Sequence, residues 1–256
     1  MRFALPLVAL TVAAAPLAAQ DYHFTHQIAA GGDLRIDNIN GAVDVVPAAG
    51  RVAEVTVVKT VKRGDGNMVK AIMEETGNGI RVCTIYVNRD PSRHTCSGDN
   101  NNDSRHGDNF EVEMHYTVHV PAGARLQVDD VNGGVSVRDV DTDANINTVN
   151  GSIDFTGTTA SRLETVNGHI NAALSRAAWS GTLSMSTVNG GIDITLPAGA
   201  NTAIHGTTVN GGLSSPDFPI TISKGWGPKS LDGQIGSGGR QLNVETVNGG
   251  ITLHKH

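Results

Sequence analysis

The stretch "TVNG" stands at Thr148–Gly151, Thr165–Gly168, Thr187–Gly190, Thr208–Gly211 and Thr246–Gly249, and a near copy, "DVNG", occupies Asp130–Gly133. The asparagines fall at Asn132, Asn150, Asn167, Asn189, Asn210 and Asn248, with gaps of 18, 17, 22, 21 and 38 residues. The last gap is about two periods long. "SLDGQIG" (Ser230–Gly236) fills it as a disguised copy, with Asp232 in the Asn place. An early copy, "NINGAVDV", puts Asn40 in the same role. A period near 20 residues is the range of stacked repeat architectures.

Each Asn is flanked by period-two alternation. Leu126 and Val128, Leu183 and Met185, and Leu242 and Val244 precede the motif; Val135 and Val137, Ile153 and Phe155, Ile192 and Ile194, and Ile251 and Leu253 follow it. Alternation over four to six residues is a strand signal. Asn-Gly is a strong turn signal, because both residues tolerate positive φ. Each unit therefore reads strand, corner, strand, corner.

Two architectures fit. In one, every Asn-Gly closes a hairpin, which needs neither identical turns nor a regular spacing. In the other, each unit is one coil of an all-β, single-stranded β-solenoid, and equivalent corners sit above one another about 4.8 Å apart. The regular spacing favours the second. The Asn side chains would then form a hydrogen-bonded ladder, as in cross-β stacks. The Val before each Asn is expected to pack under its equivalents and help close the core. The general crossover preference points to a right-handed coil.

The chain divides into a leader at residues 1–19, a β-rich portion at 20–124 and the repeats at 125–256. In the leader, Arg2 precedes the small and apolar run "FALPLVALTVAAAPLAA", the pattern of a secretory signal peptide. No later run reaches the length of a spanning helix, so no transmembrane segment is expected in the mature chain. "RVAEVTVVKTVKR" (Arg51–Arg63) and "FEVEMHYTVHVP" (Phe110–Pro121) read as strands. "GNMVKAIMEETGNGIRVCTIYV" (Gly66–Val87) reads as strand, or a short helix at Met68–Glu75. Export makes the two cysteines readable: Cys83 and Cys96 are expected to form a disulfide rather than a redox pair, since no C-x-x-C is present.

Composition narrows the function. Glycine supplies 31 of 256 residues, without a collagen period, which fits many tight turns. The net charge of −6, with no basic block, argues against a nucleic-acid partner. The polar loop Ser97–Asn109 imitates calcium-loop offsets at Asn100, Asn102, Ser104, Asp108 and Glu111, but Arg105 replaces the needed Gly. His115 and His119 share a strand face about 13 Å apart, too far for one metal. No metal site and no cofactor are expected. No nucleophile motif appears, so no catalytic residue is assigned. The acidic group Asp129, Asp130, Asp139, Asp141 and Asp143 is the one hint of a polysaccharide-acting enzyme. Trp179 and Trp226 lie between repeats and read as lids over the core ends rather than as sugar platforms.

The "VNGxI" ladder, with "GGDLRIDNINGAVDVVP" and "VPAGARLQVDDVNGGVSV" before it, resembles the bacterial putative-adhesin domain family. The Cys83–Cys96 loop and the insert around Trp226 depart from it. The resemblance implies a β-solenoid, an envelope or cell-surface location and a binding role, and it carries no catalytic residues. The expectation is an exported, non-enzymatic binding or structural module in the periplasm, at the cell surface or secreted. Its ligand would be an envelope or surface protein or glycan. An envelope scaffold or stress-response partner is the alternative.

Overall fold

The computed structural model describes residues 20–87, 94–97, 110–177, 179–223 and 227–256. The expected leader, most of the polar loop and Trp226 lie outside the described residues. The chain is all-β, with no α-helix and one 3-10 turn at Gly66–Met68 among the described residues. The strands are β1 (Gln20–Gln27), β2 (Asp33–Asp37), β3 (Val43–Pro47), β4 (Val52–Arg63), β5 (Val69–Thr76), β6 (Gly79–Tyr86) and β7 (Glu111–Val120). They continue as β8 (Arg125–Asp129), β9 (Val135–Asn150), β10 (Ile153–Asn167), β11 (Ile170–Leu174), β12 (Thr182–Asn189) and β13 (Ile192–Leu196). The last are β14 (Thr202–Asn210), β15 (Leu213–Ser214), β16 (Thr221–Ser223), β17 (Lys229–Ile235), β18 (Arg240–Asn248) and β19 (Ile251–Lys255). The short helix considered at Met68–Glu75 is β5 over most of its length.

Strands on either side of an Asn-Gly corner do not pair with each other. They pair in parallel with their equivalents in neighbouring repeats, so the corners stack. One layer runs β1–β4–β7–β3–β9–β10–β11–β13–β19–β15. The other runs β5–β6–β2–β8–β9–β10–β12–β18–β14–β17–β16. Strands β9 and β10 are long enough to serve both layers, which joins all 19 strands into one mixed sheet. The parallel middle is closed by antiparallel strands at its ends: β1 and β4 on one layer, β5 on the other, and β16 and β17 at the far end. Such closing strands limit the open edges that a parallel stack would otherwise present.

The result is a series of rungs, each a strand, an Asn-Gly corner and a strand. In space their corners run Asn40, Asn132, Asn150, Asn167, Asn189, Asn248, Asn210. The chain order is broken at the end, because β18 inserts between β12 and β14. This corrects the place expected for Asp232. No rung carries it: Asp232 lies on β17, antiparallel to β14 and opposite His205. The 38-residue gap is filled by a hairpin excursion, not by a hidden corner.

Register aligns the core into rows. Val43, Val135, Ile153, Ile170, Ile192 and Ile251 stand side by side on one layer and are all buried. Ile36, Val128, Ile146, Leu163, Met185 and Val244 do the same on the other. These belong to one cluster that runs without a break across residue 124. Burying each such side chain stabilises by roughly 1.5–3 kcal/mol, and the rungs can bury them only by stacking. Trp179 is buried between β11 and β12, with its indole Nε1 donating to Gln241 O at 3.0 Å.

Candidate functional site

The corners form a continuous column of side-chain amides. Asn132 donates its Nδ2 to Asn40 Oδ1 at 2.9 Å; Asn150 to Asn132, Asn167 to Asn150, and Asn189 to Asn167 each at 2.8 Å. The column continues through Asn248 to Asn189 at 2.8 Å and ends with Asn210 to Asn248 at 3.0 Å. Beside it runs a column of buried threonines, each giving its hydroxyl to the glycine carbonyl of the adjacent rung. Thr148 donates to Gly133 O (3.0 Å), Thr165 to Gly151 O (2.8 Å) and Thr187 to Gly168 O (2.9 Å). Thr246 donates to Gly190 O (2.9 Å) and Thr208 to Gly249 O (2.8 Å). The motif thus gives part-buried carbonyls a partner inside the stack.

Two details of the motif differ from the expectation. The motif glycines are not chosen for positive φ, which only Gly41 adopts among them (φ 115). A methyl group on Gly151, Gly168, Gly190 or Gly249 would instead overlap the carbonyl oxygen of the glycine in the next rung. Nor does the motif Val close the core. Val131, Val149, Val166, Val188, Val209 and Val247 are 39–48% exposed and line up outside the stack. Alternation explains it: Leu183, Met185 and Thr187 point inward, so Val188 must point out. With Val52 they are the exposed large hydrophobics among the described residues.

The outward face of β6, β2, β8 and β9 carries a cleft of about 500 Å³. Cross-strand register places Asp33, Arg125 and Asp143 in one row, and Arg81, Arg35, Gln127 and Asn145 in the next. Each guanidinium is held from one side. Arg125 Nε donates to Asp33 Oδ1 at 2.7 Å. Arg35 gives Nε to Asp37 (2.9 Å) and Nη2 to Asp129 (3.0 Å). Arg81 reaches Asp37 through Nε and Ser97 Oγ through Nη1 at 3.2 Å. Among the described residues, the Nη groups of Arg125 have no hydrogen-bond partner. Burial pushes the Asp143 carboxyl above its ordinary range, against the pull of the Ser161 hydroxyl and the Arg125 charge. The cleft thus offers three anchored guanidinium groups, two carboxylates, and the amides of Gln127 and Asn145.

The acidic group singled out in the sequence is dispersed. Asp129 accepts from Gln127 Nε2 (2.8 Å), Asn147 Nδ2 (3.0 Å) and Arg35. Asp130 points inward and is buried. Asp139 and Asp141 lie at the opposite bend, bonded to Thr156 and Thr158. Only Asp143 lines the cleft. Asp232 pairs with His205, whose imidazole holds its carboxyl below the ordinary range. His115 and His119 sit apart; His115 Nε2 lies 3.1 Å from Asp44 Oδ2. Cys83 and Cys96 form a disulfide with a Cα–Cα distance of 5.7 Å. Of the calcium-loop residues, only Glu111 is among those described, and no grouping of three or more metal-ligating side chains occurs among them. The arginine cleft had no motif in the sequence, since its residues come from strands up to some 110 positions apart and only register unites them.

Parallel rungs locked by repeated corners, with antiparallel strands closing the ends, define a class of stacked all-β domain. The chain belongs to the Toastrack DUF4097 family, whose model matches residues 29–254. Its fold is similar to that of a putative cell adhesion protein from Clostridium sporogenes, with 8% identity, a TM-score of 0.52, and coverage of 93% of this chain and 100% of that one. A putative adhesin from Bacteroides fragilis also matches, at 11% identity and a TM-score of 0.38, over 94% of this chain and 99% of that one. Comparison with curated proteins finds no match.

Proposed function

We propose that this chain is an exported, non-enzymatic, adhesin-like binding module of the bacterial envelope or cell surface, built as a right-handed β-solenoid. Its ligand site is the cleft of Arg35, Arg81 and Arg125, and the ligand class is an acidic glycan. The observation that carries this reading is the anchored set of guanidinium groups beside unpaired Arg125 Nη donors and the Gln127 and Asn145 amides. Guanidinium forks match carboxylates, while amides and carboxylates match sugar hydroxyls. The naming of the similarly folded Clostridium sporogenes protein as a putative cell adhesion protein agrees with it. A disulfide suits an oxidising compartment outside the cytoplasm. Of the two carboxylates in the cleft, Asp33 is already tied to Arg125 and Asn78, which speaks for binding over hydrolysis by a pair of free carboxyl groups.

A glycan panel with uronic-acid polymers and neutral polymers tests the reading. Retention of acidic polymers is expected, falling with salt and lost in the Arg35→Gln, Arg125→Gln double variant. Equal binding by that variant, or silence on the panel, overturns it. The exposed valine stripe favours a second reading, an envelope scaffold or stress-response partner that docks a protein. Under it, envelope extract yields one protein whose capture fails when Val166 and Val188 become Asn.

A further inference from the structure

At the first position of the corner motif, five rungs place a buried threonine whose hydroxyl serves the glycine carbonyl of the next rung. Of the other two rungs, "NING" places Asn38 there and "DVNG" places Asp130. Its side chain is only 4% exposed, and neither carboxyl oxygen has a hydrogen-bond partner. The setting is otherwise the same. A methyl group built on Gly211 would overlap Gly249 O and touch Thr208 Oγ1; one on Gly133 would overlap Gly41 O and touch Asp130 Oδ2. Asp130 Oδ2 therefore occupies the place of the threonine hydroxyl, with Gly41 O as the acceptor it faces. An ionised carboxylate has no proton to give and would face a carbonyl oxygen across a desolvated gap. A protonated one completes the pattern.

The surroundings supply no compensating charge. From the corner after β2, Asn38 gives its Nδ2 to Gly41 O (2.7 Å) and Met114 O (3.2 Å). Gly41 O has a second lone pair for another donor. From β7, the buried Tyr116 phenol bonds Thr84 Oγ1 on β6 at 2.8 Å and is held neutral by burial. Thr84 in turn donates to Asn38 Oδ1 at 3.0 Å. The nearby Asp37 faces outward to Arg35 and Arg81. No cation meets Asp130 from these elements.

We propose that Asp130 is a neutral acid donating its proton to Gly41 O, and that its ionisation makes the joint between the Asn40 and Asn132 rungs a pH-sensitive hinge. Burial pushes the carboxyl up to about 6; the adjacent Val131 amide, which makes no well-formed hydrogen bond to it, opposes less strongly. The folded value lies above the unfolded one, so this group's stabilisation is full below about 4, falls as pH rises toward 6, and is absent above. The joint lies beneath the walls of the cleft, since β2 and β8 carry Arg35 and Arg125. The inference does not depend on what the cleft binds.

Urea denaturation of the exported chain, with its disulfide, at pH 4.5, 6.0 and 7.5 tests it, comparing wild type with Asp130→Thr and Asp130→Asn. Taking the difference between proteins cancels the other titrating groups. The folding equilibrium of wild type is expected to fall relative to either variant by about 30-fold between pH 4.5 and 7.5. Asp130→Asn keeps the size and a donor, so it provides the comparison should the threonine variant not fold. Carboxyl carbon NMR is expected to show Asp130 titrating near 6. A difference that stays constant with pH, or a carboxyl that titrates near 4, overturns the proposal.

Discussion

Asn248 donates its side-chain amide to Asn189 Oδ1 across 2.8 Å, although 59 residues separate them. Asn210, much closer in sequence to Asn189, lies one rung further out and bonds to Asn248 instead. The last repeat in the chain is therefore the next to last in the stack, held there from both sides by parallel pairing.

The amide column makes interior corners worth more than terminal ones. Asn167 takes part in two links and Asn210 in one. At about 0.5–1 kcal/mol for each exposed amide bond, Asn167→Ala is expected to cost about 1–2 kcal/mol and Asn210→Ala about half of that. Urea unfolding of the two variants checks the ratio.

The glycine of the motif is required by contact rather than by turn geometry. Gly168→Ala would drive its methyl group into the Gly151 carbonyl, whereas a methyl on Gly212 meets open space. The first is expected to cost about 4 kcal/mol or more, or to prevent folding; the second less than about 1 kcal/mol. Thermal unfolding with soluble yield separates them.

Thr187→Val keeps the shape and removes the hydroxyl that serves Gly168 O. A loss of about 1 kcal/mol is expected, because the part-buried carbonyl is left without its partner. Val188→Thr, on the exposed side, is expected to be neutral within about 0.5 kcal/mol.

Replacing Cys83 and Cys96 by Ser opens a loop closed over 13 residues. The chain-entropy model assigns such a loop about 3 kcal/mol. The free energy of unfolding is expected to fall by that amount in the double Ser variant, and by the same amount when wild type is reduced, as urea titration checks.

Much of this was legible in the sequence, and the failures have physical causes. The spacing of Asn132, Asn150, Asn167 and Asn189 specified stacked corners, because only equivalent positions gain from the same residue. The rows of Ile153, Ile192 and Ile251 were visible as alternation. The order of the rungs was not, because identical corners are interchangeable partners: Asn248 fits beside Asn189 as well as Asn210 would. Asp232 imitated a corner by carrying the right neighbours at a plausible interval, while its strand runs the other way against β14. The valines misled because apolar character suggested burial, whereas alternation places Thr187 inside and Val188 outside. The cleft needed β2 and β8 to be neighbours, and 92 residues separate Asp33 from Arg125.

Engineered disulfides test the rung order most directly. Ser186 stands opposite Glu245, and Glu245 opposite Thr207, all facing outward. Adjacent parallel strands bring such pairs within disulfide reach; strands two apart, at about 9–10 Å, do not. Oxidation followed by peptide mass spectrometry is expected to show a crosslink in Ser186→Cys, Glu245→Cys and none in Ser186→Cys, Thr207→Cys. A crosslink in the second pair, with none in the first, would mean that the repeats stack in chain order and would contradict the inserted rung.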